Sequence, residues 1–349
     1  MKESAQERLQ LAKKLASIKQ GVAEAITSEF FLLHPDWDVR YGERGRQFCT
    51  ADACFHIEFL AGAIEAGSPE AFGDYARWTV GMLQARGIAA HTLEEHLTQL
   101  EKHICPELLP AECESVSSYL SAGRKTCIEL EPAPDAHSHG SQLDVIRRAF
   151  LAGILGGQRN ESLKIVEDAI QSGIRLVDIY VDVFSAALHE VGYLWEQNKI
   201  NVAQEHIATA ITQYAIAMIY PRLVPPALSR GNMVVTGVCG EQHQVGANLV
   251  ADAMEANGWA VRFLGTNLPH STVVATLEEV SADVLCISTT LVANLPSAAE
   301  LIRTVRSKLG LKAPRIVLGG AAFLRTPDFV KELGSAYVFA DLRQALAAL

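Results

Sequence analysis

The chain has 349 residues, enough for two or three domains with cores of their own, and 30 basic against 40 acidic residues give it a formal net charge of −10. That balance argues against a general nucleic-acid surface, which needs a basic patch, and no finger, recognition-helix signature or long basic run is present. The polar start Met1-Lys2-Glu3-Ser4 is unlike a signal peptide and no apolar run reaches the ~18 residues of a membrane span, while seven cysteines without a Cys-x-x-Cys fit a reducing cytoplasm better than a disulfide framework.

Residues 1–130 read as an all-α domain. Leu9, Leu11, Leu15 and Ile18 open an apolar helix face that Val22, Ile26, Phe30 and Phe31 continue, before Pro35, Gly42 and Gly45 interrupt it. Residues 48–64, 75–83 and 93–100 add further helical stretches, for five or six helices and no sheet. His34, His56, His91, His96 and His103 share this region with Trp37, Tyr41, Phe55, Phe59, Tyr75 and Trp78. His96 and His103 are seven apart and so share a helix face. Three readings stand open. One is half-buried histidines among ordinary core aromatics; one is a planar-chromophore pocket, with rings stacking and Arg or His meeting carboxylates; one is a metal site. The last lacks a Glu-x-x-His pair or a Cys/His cluster.

Residues 131–140, with Pro132, Pro134 and Gly140, read as a linker. Helical periodicity resumes over 141–228, the length of a four-helix bundle, with short gaps at Gly156-Gly157 and Gly173. Its third helix carries the stripe Val177, Val181, Phe184, Leu188, Val191 and Trp195. The next helix opens with Val202, Ala203, Glu205 and His206, which sets an indole and a Glu-His pair at one end of the bundle.

From 229 to 349 strands and helices alternate. Strands are expected at 233–238, 259–263, 283–287, 315–318 and 336–339, each followed by a helical pattern, which makes a doubly wound α/β domain with five parallel strands. The first strand runs into Glu241-Gln242-His243-Gln244-Val245-Gly246. The third ends at Ser288-Thr289-Thr290 and the fourth at Gly319-Gly320. All three clusters lie at carboxyl ends of strands, the rim where open α/β sheets bind ligands. The absence of a Gly-x-Gly-x-x-Gly turn disfavours a nicotinamide site.

Glu241-x-His243-x-x-Gly246, then Ser288-x-Thr290 and Gly319-Gly320, resembles the signature of cobalamin-binding domains. The resemblance implies that His243 replaces the cofactor's own base as lower ligand to cobalt, with the detached nucleotide tail passing Ser288, Thr290, Gly319 and Gly320. That family usually has Asp where this chain has Glu241, yet either acid can fix a ligand histidine's tautomer. Trp195, Val202, Glu205 and His206 match the cap that adenosylcobalamin-dependent photoreceptors place over the upper corrin face, where an organic ligand needs an apolar lid and a few polar partners. The best-known photoreceptors of this type have a histidine after the cap tryptophan; here Glu196 stands there, so the same bis-histidine photoproduct is not expected. The chain also lacks their DNA-binding head. Some relatives carry a helical sensory domain with a bilin such as biliverdin, and Cys49, Cys54, Cys105, Cys113 and Cys127 are the thioether candidates for such a pigment.

The resemblance, over about 141–349, implies light sensing through adenosylcobalamin, signalled by conformational or oligomeric change to a homo-oligomer or a separate effector, in the cytoplasm. A corrinoid methyl carrier serving a methyltransferase system shares the loop, sheet and bundle and is the main alternative. A light-independent cobalamin-sensing interaction protein is the third.

Overall fold

The computed structural model describes residues 3–128, 141–222, 230–334 and 337–349. The linker expected at 131–140 lies outside them, as do residues 223–229 at the end of the bundle.

The amino-terminal region is helical throughout its described length: α1 Ala5–Leu33, α2 Pro35–Ala66, α3 Pro69–Ala85, α4 His91–Ile104 and α5 Pro110–Ile128. Ser4 and Glu7 form a reciprocal capping box that starts α1, and Pro35 starts α2 where its missing N–H costs nothing. Gly42 breaks α2 with φ 56° and ψ −152°, so the expected interruption is a kink between two helical pieces rather than a loop. Leu15, Ile26, Phe30, Ile57, Leu60, Phe72 and Leu97 are buried in the core of this region.

The chain divides into two compact units, one of residues 1–131 with 289–303 and 321–336, the other of 132–288 with 304–320 and 337–349. In the first unit α2 meets the turn Val292–Asn294 so closely that a Cβ on Gly62 would lie 2.1 Å from the Val292 carbonyl oxygen. Glu65 accepts from Arg303 at 3.1 Å, and the buried Arg8 donates to the Glu65 carbonyl at 3.2 Å and pairs with Glu332.

The second unit holds the four-helix bundle and the sheet. The bundle is α6 Gln142–Leu155, α7 Arg159–Gln171, a third helix and α10 Val202–Ile219. That third helix is composite: a turn α8 Leu176–Asp178, a π-helical segment Ile179–Ser185, then α9 Ala186–Glu196. The π segment shifts the phase of the apolar face, because each π turn takes up an extra residue. Tyr180, Val183, Phe184, Ala187 and Val191 therefore form the buried seam, while Val177, Val181 and Leu188 of the expected stripe are only half-buried.

The sheet has five parallel strands, β1 Asn232–Gly237, β2 Ala260–Phe263, β3 Val284–Ser288, β4 Arg315–Gly319 and β5 Val338–Phe339, in the order β2-β1-β3-β4-β5. Between them run α11 Val245–Ala256, α12 His270–Glu279, α13 Leu295–Leu309, and the short α14 Ala321–Arg325 and α15 Pro327–Glu332, with α16 Leu342–Ala348 closing the chain. Central strands β1 and β3 read as continuous apolar runs because both faces are covered. The expected doubly wound fold is present, and its order reverses at β1, which places the binding crevice beside that strand's carboxyl end.

Candidate functional site

The register of the sheet aligns the candidate residues. Gly237, the last residue of β1, pairs with Ser288, Ser288 pairs with Gly319, and Gly319 pairs with Phe339. One row across the carboxyl rim thus contains two of the sequence candidates, with Thr290 and Gly320 one or two residues beyond in their loops. The Thr289 hydroxyl between them is buried and has no hydrogen-bond partner.

His243 leaves the same rim from the loop between β1 and α11. Glu241 is fully buried, and its Oε1 accepts the backbone N–H of Gln242 and of His243, each at 3.0 Å, and meets His243 Nδ1 at 2.5 Å. That oxygen already accepts two backbone N–H groups, so it meets Nδ1 as an acceptor and Nδ1 donates. The Nε2 edge belongs to a side chain 54 % exposed. The longer Glu reaches the histidine fully; the loop accommodates the extra methylene by drawing the carboxylate under its own backbone.

Sequence reading missed the support of this loop by the one after β2. Asn267, at φ 59°, accepts the Gly240 N–H at 2.9 Å and donates its own N–H to the Val238 carbonyl at 3.1 Å. Gly237 donates to the Gly265 carbonyl at 2.9 Å. The signal available was the Gly265-Thr266-Asn267 cluster, since asparagine tolerates the left-handed conformation.

On the lid, Trp195 lies in the last turn of α9 and Val202, Glu205 and His206 in the first turn of α10, so the four share one end of the bundle. An Asn201–Gln204 capping box starts α10, Glu205 meets His206 Nδ1 at 2.5 Å, and Thr209 donates to Glu205 at 3.0 Å. Val202 is 52 % exposed and the His206 side chain 74 %. The lid is tied to the α/β domain by polar contacts that have no local sequence signal. Arg343 bonds Asp178 at 2.8 Å and Asp182 at 2.5 Å, Tyr220 donates to Glu255 at 2.5 Å, and Tyr180 donates to Asp252 at 3.2 Å. Burial raises the Asp252 carboxyl to about 6.

In the amino-terminal domain most of the candidate histidines and aromatics join one chain of ring contacts. His56 Nδ1 meets the Tyr75 hydroxyl at 2.6 Å, His96 packs edge-on against His56 at 5.5 Å, and the Cys49 thiol lies 3.3 Å from His96 Nε2. Burial lowers His56 to about 3 and His96 to about 4 and raises Cys49 to about 11, so all three are neutral. His103 turns away to Glu29 at 2.7 Å despite sharing a helix with His96. Phe59 stacks on Tyr75 at 3.8 Å, and Phe30, which meets His96 edge-on at 5.2 Å, carries the ring contacts on to His34, Trp37 and Tyr41. Among the described residues no group of three or more His, Cys, Asp or Glu can hold a metal. The cysteine expectation needs correction: Cys105 and Cys113 form a disulfide, because the turn between α4 and α5 brings them to a Cα separation of 5.0 Å, and neither is a free thiol. Among the described residues no helix is long and apolar enough to cross a membrane.

Residues 231–349 match the family profile of the B12 binding domain, and residues 146–220 match a second profile of the same description. The chain carries B12-binding domains. Its B12-binding region is 23 % identical to the Corrinoid protein DSY3155 of Desulfitobacterium hafniense, over 52 % of this chain and 83 % of the relative. Trimethylamine corrinoid protein 1 of Methanosarcina acetivorans is 22 % identical over 49 % of this chain and 80 % of its own length. The HTH-type transcriptional repressor CarA of Myxococcus xanthus is 25 % identical over 58 % of this chain and 67 % of its own length. The fold matches the structure of the Methanosarcina barkeri monomethylamine corrinoid protein with a TM-score of 0.52 at 18 % identity, covering 58 % of this chain and 96 % of that one. The helical amino-terminal domain lies ahead of both B12-binding matches.

Proposed function

We propose that His243 is the lower axial ligand to cobalt, that Glu241 positions it, and that Ser288, Thr290, Gly246, Gly319 and Gly320 receive the displaced nucleotide tail. The carrying observation is the Glu241–His243 pair, with Nδ1 engaged by a buried acid on a ring that is itself exposed, so that Nε2 is the nitrogen that would meet cobalt. The glycines support it. A Cβ at Gly246 or Gly319 would enter open space and neither has a positive φ, so the protein's own packing asks for glycine at neither place, while a close-lying ligand would.

The use of the corrinoid that we favour is carriage of a methyl group for a separate methyltransferase. Relatives named as trimethylamine and dimethylamine corrinoid proteins support it, as do Val202 and His206, whose exposure suits a small upper group handed to a partner better than an enclosed one. When bound, the cofactor supplies a cobalt centre that holds and releases an organic upper group; the chain holds its lower side and covers or uncovers the upper. The test is electron paramagnetic resonance of the cobalt(II) form in protein labelled with ¹⁵N-histidine. Splitting by one nitrogen that changes with the label and vanishes in His243→Ala is expected. Splitting indifferent to the label would sink the ligand assignment.

A second reading is light sensing through adenosylcobalamin, favoured by Trp195, Val202, Glu205 and His206 at one end of the lid and by the CarA relative. Signalling would then run through a conformational or oligomeric change, with Glu196 excluding the histidine-based photoproduct and a bilin in the amino-terminal domain as a second pigment. Absorption spectra with adenosylcobalamin and biliverdin, before and after illumination, separate the two. Bleaching of the adenosyl form with a change in mass favours the sensor. A dark-stable complex that exchanges methyl groups with a methyltransferase favours the carrier, and a complex doing neither favours light-independent cobalamin sensing.

A further inference from the structure

The amino-terminal domain contains a cavity of about 200 Å³ where the end of α1, the start of α2 and the start of α4 converge. Its aromatic side is a run of rings: Phe30 meets Trp37 edge-on at 5.1 Å, and Trp37 meets Tyr41 at 5.1 Å. His34, Arg40, His91, Thr92 and Glu95 complete the polar lining.

The polar groups are donors in excess. Glu95, the one acid of the lining, is engaged by His34 Nε2 at 2.8 Å. Arg40 lies 4.9 Å from the centre of the Tyr41 ring and pairs with no carboxylate among the described residues. The Trp37 indole N–H and the Tyr41 hydroxyl have no hydrogen-bond partner there either, and an indole N–H only donates. Helices α2 and α4 both begin at this cavity without a side-chain cap, which brings the positive ends of their dipoles to it. The volume is below the roughly 300–1,000 Å³ of a site for a drug-sized molecule, so it does not take a whole linear tetrapyrrole. At ~30 Å³ per water and closer spacing for bonded atoms, it has room for roughly ten non-hydrogen atoms.

We propose that this cavity binds small aromatic carboxylates, the ring between Phe30, Trp37 and Tyr41 and the carboxylate at Arg40. The site is separate from the corrinoid reading and does not depend on it. Calorimetric titration of the full chain with benzoate, indole-3-carboxylate and benzylamine tests it. Both carboxylates are expected to bind at least about tenfold more tightly than benzylamine, and Arg40→Ala to remove most of that margin. Arg40 is exposed, so its variants should fold; Arg40→Glu is expected to reverse the order while the cobalamin spectrum stays as in the parent chain. Equal affinity for benzoate and benzylamine, no binding of any probe at millimolar concentration, or an order unchanged by Arg40→Glu would each overturn the proposal.

Discussion

His243 and the pair His56–His96 put the same side chain in two opposite settings. His56 and His96 are buried beside Tyr75 and Cys49, and desolvation keeps them neutral. Their nitrogens are absorbed by the protein's interior. His243 has one nitrogen bound by a carboxylate that is itself buried and doubly amide-bonded, and its ring is open to solvent. A histidine becomes available as a ligand when the fold satisfies one nitrogen and leaves the other alone; burial of the whole ring makes it a core residue.

The strongest way to break this contrast is His243→Ala. Loss of the proposed ligand nitrogen is expected to weaken cobalamin binding at least about a hundredfold, beyond what loss of a supporting group causes, with the visible spectrum reverting toward that of the free cofactor. His56→Phe and His96→Phe should leave that spectrum unchanged; a change there would erase the distinction between the settings. Glu241→Ala should cost about ten- to a hundredfold in affinity, because His243 loses its orientation and tautomer, and the orphaned Gln242 and His243 amides should lower stability by about 1–3 kcal/mol each. Equilibrium dialysis and urea denaturation measure the two effects.

The buried pair sharpens the comparison through pH. Folded-state values of about 3 and 4 lie below the ordinary 6.5, so the native state takes up fewer protons than the unfolded chain. Their contribution is present above pH 6.5 and is lost as pH falls toward the folded values, on the order of 1–3 kcal/mol per histidine. Denaturation midpoints for the amino-terminal region should therefore fall between pH 6.5 and 4; a flat profile would contradict the buried, neutral assignment. The smallest effect is expected from the Cys105→Ser, Cys113→Ser double variant. It removes a bridge with a sequence separation of 8, worth about 2 kcal/mol, and should lower thermal stability without altering cobalamin binding.

Much of the B12-binding region was legible because its signals are local. Apolar runs marked the strands to within a residue or two, and Glu241, His243, Ser288 and Gly319 fell at strand ends because parallel strands with crossover helices bring those ends to one rim. The lid was legible as helices but not in phase, since the π segment 179–185 replaced the expected stripe with Tyr180, Val183 and Ala187. In the amino-terminal region periodicity marked helices without saying which histidines would meet.

By itself the sequence determined the order of elements, the rim on which the motif residues fall and the acid-histidine spacing of the loop, all of which depend on residues near one another in the chain. Tertiary structure alone decided that Glu241 is buried beneath its own loop, that Asn267 supports that loop, and that Arg343 reaches Asp178 and Asp182 across more than 160 residues. It also decided that Cys105 and Cys113 join and that His56 and His96 are sealed in a core. Burial and long-range pairing depend on which surfaces the packed helices bring together, and periodicity carries no record of the partner.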